Sequence, residues 1–390
     1  MPSFSSTRPF YQIAFNLLAV ILFAAPVAAF GQFTYQTNNN AITITGYSGG
    51  GSHVFIPDTI NGYPVVAIGN GAFYSKGIES VVFPAGLTSI GGAAFYGCDS
   101  LFSVSIPAGV TNIGDSAFRF CALMTNITVD PLNQQYSSLE GVFYDKSLTR
   151  LIQYPTGRPG TYTTPGTVRS IGDSAFYTVN SLTEAVIGGG VTNIGGWLFF
   201  QSGIKKVTFL PGVTLIPHDA FASSAVTNVV IPGTVTSIES YAFHSCLLTT
   251  LTIPASVTNI ASDALSYCFL FKALLFTGNA PTGPLDFSGD NSLVIYYLPG
   301  TSGWNTFPTA RPTSLWNPLF QSARAVSGQF RTEIVGTTNI PILMEASPAL
   351  AGAVWQPVLN CALTNGSMTV EAPFSTSYPS YFFRVRWPWD

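Results

Sequence analysis

Gly46-Tyr47-Ser48-Gly49-Gly50 has the Gly-x-Ser-x-Gly spacing with which a serine hydrolase exposes its nucleophile above a core strand. Such an elbow needs a core strand before it, a helix behind it, and an acid and a histidine later in the chain. The chain instead continues as Gly51-Ser52-His53-Val54-Phe55, a turn running into a strand, so a glycine-rich connection is the favoured reading over a hydrolase using Ser48 and His53. The histidines are His53, His218 and His244, and no Cys-x-x-Cys or His-x-x-x-His pair exists. Neither a metal site nor a cofactor is expected. Asp115, Asp173 and Asp263 are scattered single carboxylates, read as turn caps rather than as an acid–base pair.

The bulk numbers narrow the function classes. Charged residues are 8% of 390, the apolar fraction is 47% and the net charge is −3, which argues against disorder and against phosphate-steered nucleic-acid binding. Arg8 is the only charge in the first 30 residues, and Leu17–Ala29 is an apolar run ending in small residues. Residues 1–29 are therefore expected to be a removable secretory signal, with no membrane span after its removal.

The elements that would position any site come from a repeat. Phe83-Pro84-Ala-Gly-Leu87-Thr-Ser-Ile90-Gly-Gly-Ala-Ala-Phe95-Tyr-Gly-Cys98 is followed by Ile106-Pro107-Ala-Gly-Val110-Thr-Asn-Ile113-Gly-Asp-Ser-Ala-Phe118-Arg-Phe-Cys121. Pro84 and Pro107 stand 23 residues apart, and Pro232 and Pro254 stand 22 apart. A fixed period of this length marks a solenoid, in which each repeat buries its apolar positions against its neighbours. Val110, Ile113, Val235 and Ile238 are expected to point inward. Phe73, Phe95, Phe118, Phe176, Phe221 and Phe243 should form a stacked aromatic spine. Leu101–Ile106 and Leu251–Ile253 alternate as strands do. The Gly-x-x-Ala-Phe stretch supports at most a single helical turn.

The frame sorts the remaining residues. Tyr74, Tyr96, Arg119, Tyr177, Phe200, Ala222 and His244 each follow an inward phenylalanine and should face outward, where a ladder of rings would suit sugars or an extended peptide. The plainer alternative is that these rings pack sideways over the turns. Cys98, Cys121, Cys246 and Cys268 share one place in the repeat and fall into two neighbouring pairs. Coil spacing and export would permit disulfides, but parallel stacked Cβ atoms diverge from disulfide geometry, so buried thiols are favoured. Cys361 stands apart.

The pattern Ile-Pro-x-x-Val-Thr-x-Ile-Gly-x-x-Ala-Phe-x-x-Cys resembles the BspA-type bacterial leucine-rich repeat, across about residues 56–278. The resemblance implies a curved solenoid on a secreted or surface protein, linked to adhesion and protein–protein contact; it does not imply an enzyme and names no ligand. An insert at 130–155 also resembles a segment of that family. Here Val142-Phe-Tyr and Leu151-Ile-Gln-Tyr look like a hairpin joined through Asp145-Lys-Ser.

Flanking the solenoid, residues 32–55 are expected to be an N-terminal cap hairpin around Asn38-Asn-Asn. Residues 279–316 should be a C-terminal cap, 317–321 a linker, and 322–390 a separate small β-sandwich of five short strands. The whole reads as a mostly β, exported chain. A non-catalytic binding or adhesion role is expected, toward a protein or glycan on a cell surface or in the matrix. The alternative is an accessory to an extracellular enzyme system, with a carbohydrate-binding sandwich on a solenoid spacer.

Overall fold

A repeat of 22 or 23 residues is too short to bury both its faces alone, and each copy here closes one coil against the next. In the copy around Pro107, Val104, Ile106, Val110, Phe118 and Cys121 are buried while Ser103 and Ser105 face water. The coil carries a four-residue strand, Ser103–Ile106, and a two-residue strand, Asn112–Ile113. Both pair in parallel with their counterparts in neighbouring coils, giving two ladders along the solenoid. This computed structural model describes residues 31–326, 328–373 and 380–388, so the expected signal segment lies outside the described residues. No α-helix occurs among them. The mostly β solenoid expected from the period is the fold observed.

The phenylalanine spine is buried and stacked at the coil spacing. Ring centroids are 4.8 Å apart for Phe73–Phe95, 5.6 Å for Phe95–Phe118, 4.8 Å for Phe176–Phe199, 5.5 Å for Phe199–Phe221 and 5.2 Å for Phe221–Phe243. Phe199 supplies the rung between Phe176 and Phe221, and Leu265 holds the equivalent place in the last repeat. The Gly-x-x-Ala-Phe segment is not helical. It is a run of tight turns with two left-handed residues per coil, such as Ser116 (φ 59°) with Phe120 (φ 58°) and Ser174 (φ 58°) with Thr178 (φ 53°). The cost of left-handed non-glycine residues is offset by a third ladder in which alternate amides point at the next coil. Ala93, Phe95 and Gly97 donate to the carbonyls of Asp115, Ala117 and Arg119 at 2.9, 2.8 and 2.9 Å.

The described chain opens on a hairpin turned by asparagines. Phe33–Asn38 and Ala41–Tyr47 pair antiparallel across Asn39 and Asn40, both with positive φ, and the second strand starts a ladder by pairing in parallel with Tyr63–Ile68.

The insert is more than a hairpin. Tyr136–Leu139, Val142–Asp145 and Arg150–Gln153 form an antiparallel meander, and Arg150-Leu151 then restarts the short-strand ladder by pairing in parallel with Ser170-Ile171. Asp145 fixes the second turn: its carboxylate accepts from the Thr149 and Arg150 amides (2.7 and 2.8 Å) and from Thr149 Oγ1 (2.6 Å). The middle strand is apolar on both faces. Phe143 belongs to the core of the coils before the insert, whereas Val142 and Tyr144 belong to the core after it. The insert is thus a partition between two hydrophobic cores.

Beyond Cys268 the parallel ladder continues through Ala273–Phe276, Val294–Tyr297 and Thr313–Leu315, so the region expected as a cap adds further rungs. The expected linker at 317–321 is corrected by the structure. Leu319 already begins the strand Leu319–Val326, Trp316 Nε1 donates to the Pro341 carbonyl (2.7 Å), and Asn317 Oδ1 accepts from the Thr337 amide (2.7 Å). Among the described residues the C-terminal unit shows six strands in two three-stranded antiparallel sheets, one from Leu319–Val326, Gln329–Val335 and Ser367–Pro373, the other from Gln356–Leu363, Ile340–Ser347 and Phe382–Arg386. Its core, including Ile342, Met344 and Trp387, is continuous with Ala273, Leu275 and Tyr296 on the outer face of the last coils. The reason is visible in Ala-Leu-Leu-Phe at 273–276. A strand apolar at every position must be covered on both faces, whereas Thr250-Leu-Thr-Ile alternates and faces water.

Candidate functional site

The rings that follow the inward phenylalanines do form a row, and they use one another's faces. Tyr74 and Tyr96 stack at 5.0 Å and 5°, and Tyr177 and Phe200 at 5.1 Å and 17°. Between these pairs the rung is Phe120, not Arg119, with centroids 5.0 Å from Tyr96 and 5.3 Å from Tyr177. Arg119 lies over the Tyr177 ring instead, its guanidinium 4.5 Å from the centroid. Ala222 is buried, and His244 belongs to a second group with Tyr241 and Tyr267, its Nδ1 3.0 Å from Ser266 Oγ. A sugar stacks on a free ring face. This row offers ring edges along its length and one open face at Tyr74, which is 52% exposed.

Below the middle of the row, at the insert, a cleft of about 560 Å³ opens between the Phe118 and Phe176 coils. Ser116, Phe118 and Arg119 stand on one wall, Asp173, Ser174, Tyr177 and Trp197 on the other, with Tyr136, Arg150, Gln153 and Tyr154 from the insert between them. Asp115 and Asp173, separated by the insert in sequence, both reach this cleft. Trp197 is 41% exposed and packs edge-on against His218 at 4.4 Å. Sequence reasoning missed the cleft. The exposed Trp197 in a left-handed position was its one legible signal.

The hydrolase-like motif is not assembled. Ser48 Oγ donates to the Gln32 carbonyl (3.2 Å), while His53 Nδ1 lies 2.9 Å from Ser80 Oγ. A turn and the strand His53–Phe55 come after Ser48, with no helix to aim a nucleophile. Among the described residues no group of three or more metal-binding side chains comes together. Asp173 reaches to the following coil, where it accepts from the Gly196 amide (2.9 Å).

The repeat cysteines are buried thiols here. Cys98, Cys121 and Cys268 donate to the carbonyls of Phe73, Phe95 and Phe243 in the preceding coils (3.1, 3.2 and 2.9 Å). Cys246 and Cys268 sulfurs lie 3.3 Å apart without a bond. Burial pushes the Cys98 thiol up to about 11 and raises Cys121 further. Such groups hold the spine and are not nucleophiles.

Fold and site together define a repeat solenoid with a row of aromatic rings along its outer turns. The chain belongs to the BspA-type leucine-rich repeat family: six copies of that repeat match residues 66–157 and 160–272. No curated protein matches the sequence. Among solved structures it is similar to the pneumococcal vaccine antigen PcpA, with 16% identity over 73% of this chain and 97% of that one and a TM-score of 0.46. It is similar also to a leucine-rich cell surface protein of Faecalibacterium prausnitzii, with 20% identity over 71% of this chain and 96% of that one and a TM-score of 0.37. A leucine-rich repeat protein of Eubacterium ventriosum shares 24% identity over 55% of this chain and 75% of that one, with a TM-score of 0.41. None of these likenesses bears on what this chain binds.

Proposed function

We propose that this chain is an exported, non-catalytic binding protein of the cell surface or its surroundings, and that its repeat surface recognises a protein or glycan partner. The observation that carries this reading is the concentration of Tyr74, Tyr96, Phe120, Arg119, Tyr177, Phe200 and Trp197 along the outer turns, where the repeat itself demands no large side chains. The apolar leader expected at residues 1–29 supports export. No helix among the described residues is long and apolar enough to cross a membrane. The spacer alternative is disfavoured by the core shared between the C-terminal unit and Ala273, Leu275 and Tyr296, because a tethered module would not bury its face on its spacer.

The intact mature chain, screened against glycan arrays and extracellular proteins, should retain a partner. Replacing Tyr74 and Tyr96 together by alanine should weaken retention about tenfold or more without lowering the thermal midpoint substantially. Affinity unchanged in the double variant would remove the ring row from the site, and no partner on any surface would remove the binding reading.

A further inference from the structure

The turn ladder runs on both sides of the insert, where before the last repeat only the Tyr241 amide misses its acceptor among the described residues, and it stops at the insert. Ser174, Phe176 and Thr178 donate to Gly196, Leu198 and Phe200 (2.9, 3.1 and 2.9 Å), just as Ala93, Phe95 and Gly97 donate to the Phe118 coil. The next three amides in that series, Ser116, Phe118 and Phe120, have no acceptor among the described residues. Ser116 and Phe120 have the same left-handed turns (φ 59° and 58°) as Ser174 and Thr178, whose amides do reach the next coil, and Ser116 and Phe118 line the cleft. Opposite them, the carbonyls in the matching places are those of Asp173, Ala175 and Tyr177. Only Ala175 is used, by the Tyr154 amide (2.8 Å).

A side chain repeats the pattern. Asn70 accepts from the Gly92 amide (2.8 Å) and Asp173 from the Gly196 amide (2.9 Å), each reaching to the following coil. Asp115 holds the same place in the Phe118 coil and has no such partner among the described residues. Three donors and one acceptor therefore stand at the spacing of a polypeptide backbone, with carbonyls awaiting donors across the cleft. Arg150 is exposed at one end and Arg119 is half-buried beside Tyr177, and neither forms an ion pair among the described residues.

We propose that this cleft is a binding site for a polypeptide segment of a partner, which enters as the missing rung of the turn ladder. Its alternate carbonyls accept from Ser116, Phe118 and Phe120, an amide at its start donates to Asp115, and an acidic side chain meets Arg150. The inference rests on the binding reading above and narrows it to one place and one chemical class. A backbone fits better than a sugar because only a backbone offers acceptors along one edge and donors along the other at a fixed repeat. Each amide that the segment answers exchanges a hydrogen bond to water for one to a backbone carbonyl, and three in series fix the register and direction of the bound strand.

The test uses the full mature chain and a capped synthetic peptide, Ile-Gly-Asp-Ser-Ala-Ala-Tyr-Thr-Val, the sequence of residues 171–179 with alanine for its phenylalanine, because Tyr154 already fills that spine place against Phe176 (5.2 Å). In the free chain the Ser116, Phe118 and Phe120 amides should exchange with solvent at least about tenfold faster than those of Ala93, Phe95 and Gly97. Peptide should slow them, and Asp115→Ala with Arg150→Glu should weaken peptide binding about tenfold or more, whereas Tyr63→Ala should not. Equal protection of both amide sets in the free chain would overturn the open edge. Unchanged exchange at saturating peptide, no binding at millimolar peptide, or protection by an acidic oligosaccharide in its place would overturn the polypeptide assignment. A partner found by the surface screen that leaves these three amides fast would sink this proposal while the binding reading stood. No partner in that screen, with the peptide seated, would do the reverse.

Discussion

Phe221→Ala is expected to be among the most damaging single substitutions in this chain. The side chain is fully buried, its ring lies 5.5 Å and 15° from Phe199 and 5.2 Å and 6° from Phe243, and Phe209 meets it edge-on at 6.1 Å. Truncating a buried phenylalanine to alanine costs about 3–5 kcal/mol. Each stacked partner adds about 0.5–1.5 kcal/mol beyond area, and two are lost, which places Phe221 toward the upper end of that range. The coils on either side cannot collapse into the space, because their separation is held by the amide ladder through Phe199, Phe221 and Phe243. Phe221→Leu should cost roughly 1–2 kcal/mol, since Leu265 already fills the same place in the last repeat. Urea unfolding followed by far-ultraviolet circular dichroism, fitted with a common slope, gives both values. An alanine variant within about 1 kcal/mol of the parent, or a leucine variant as unstable as the alanine one, would refute the argument that filled, stacked volume in the spine carries stability.

Two carboxyl groups should give stability opposite pH dependences. Glu345 is buried; burial alone would raise its carboxyl, but hydrogen bonds from Arg386 (2.9 Å) and Arg384 (2.8 Å) outweigh it and hold the group below the usual glutamate range. Its stabilisation is present above about pH 5 and is lost as pH falls through the depressed value; Glu345→Gln should remove that acid dependence and cost roughly 2–4 kcal/mol near neutrality, measured by denaturant unfolding at several pH values. Burial pushes Asp290 up to about 7 despite Arg311, so it disfavours the fold as pH rises from about 4 toward 7, and Asp290→Asn should stabilise at pH 8 but not at pH 4. Maleimide at pH 7 should label Cys361 before the four repeat cysteines, which should react only in denaturant; native labelling of Cys98 on the same timescale would contradict its buried, carbonyl-bonded thiol.

Where the sequence reading and the structure part, the cause is in each case a contact between distant segments. Arg119 follows Phe118 as Tyr74 follows Phe73, so position alone sends it to the ring row. Phe120 takes the rung because its left-handed turn carries it between Tyr96 and Tyr177, leaving Arg119 to lie over Tyr177. The linker expectation at 317–321 rests on Asn317-Pro318, a turn signal. Asn317 instead uses its carboxamide to tie the Thr337 turn, and Leu319 enters a sheet. The apolar runs at 273–276 and 294–297 could have signalled that the last coils are covered on both faces.

The repeat was legible because every coil meets the same surroundings. A fixed period forces the same residue types into the same places, and Phe73, Phe95, Phe118, Phe176, Phe221 and Phe243 stand where that periodicity puts them. The insert has no second copy to compare with, and nothing local says where its chain returns. Only the tertiary path, in which Arg150-Leu151 rejoins the ladder and Tyr154 makes a single rung bond, decides that one core becomes two and that three amides of the Phe118 coil are left without a rung. The scaffold comes from periodic burial, which a sequence records residue by residue. The cleft comes from an interruption whose consequences appear only when the coils on either side of it are brought together.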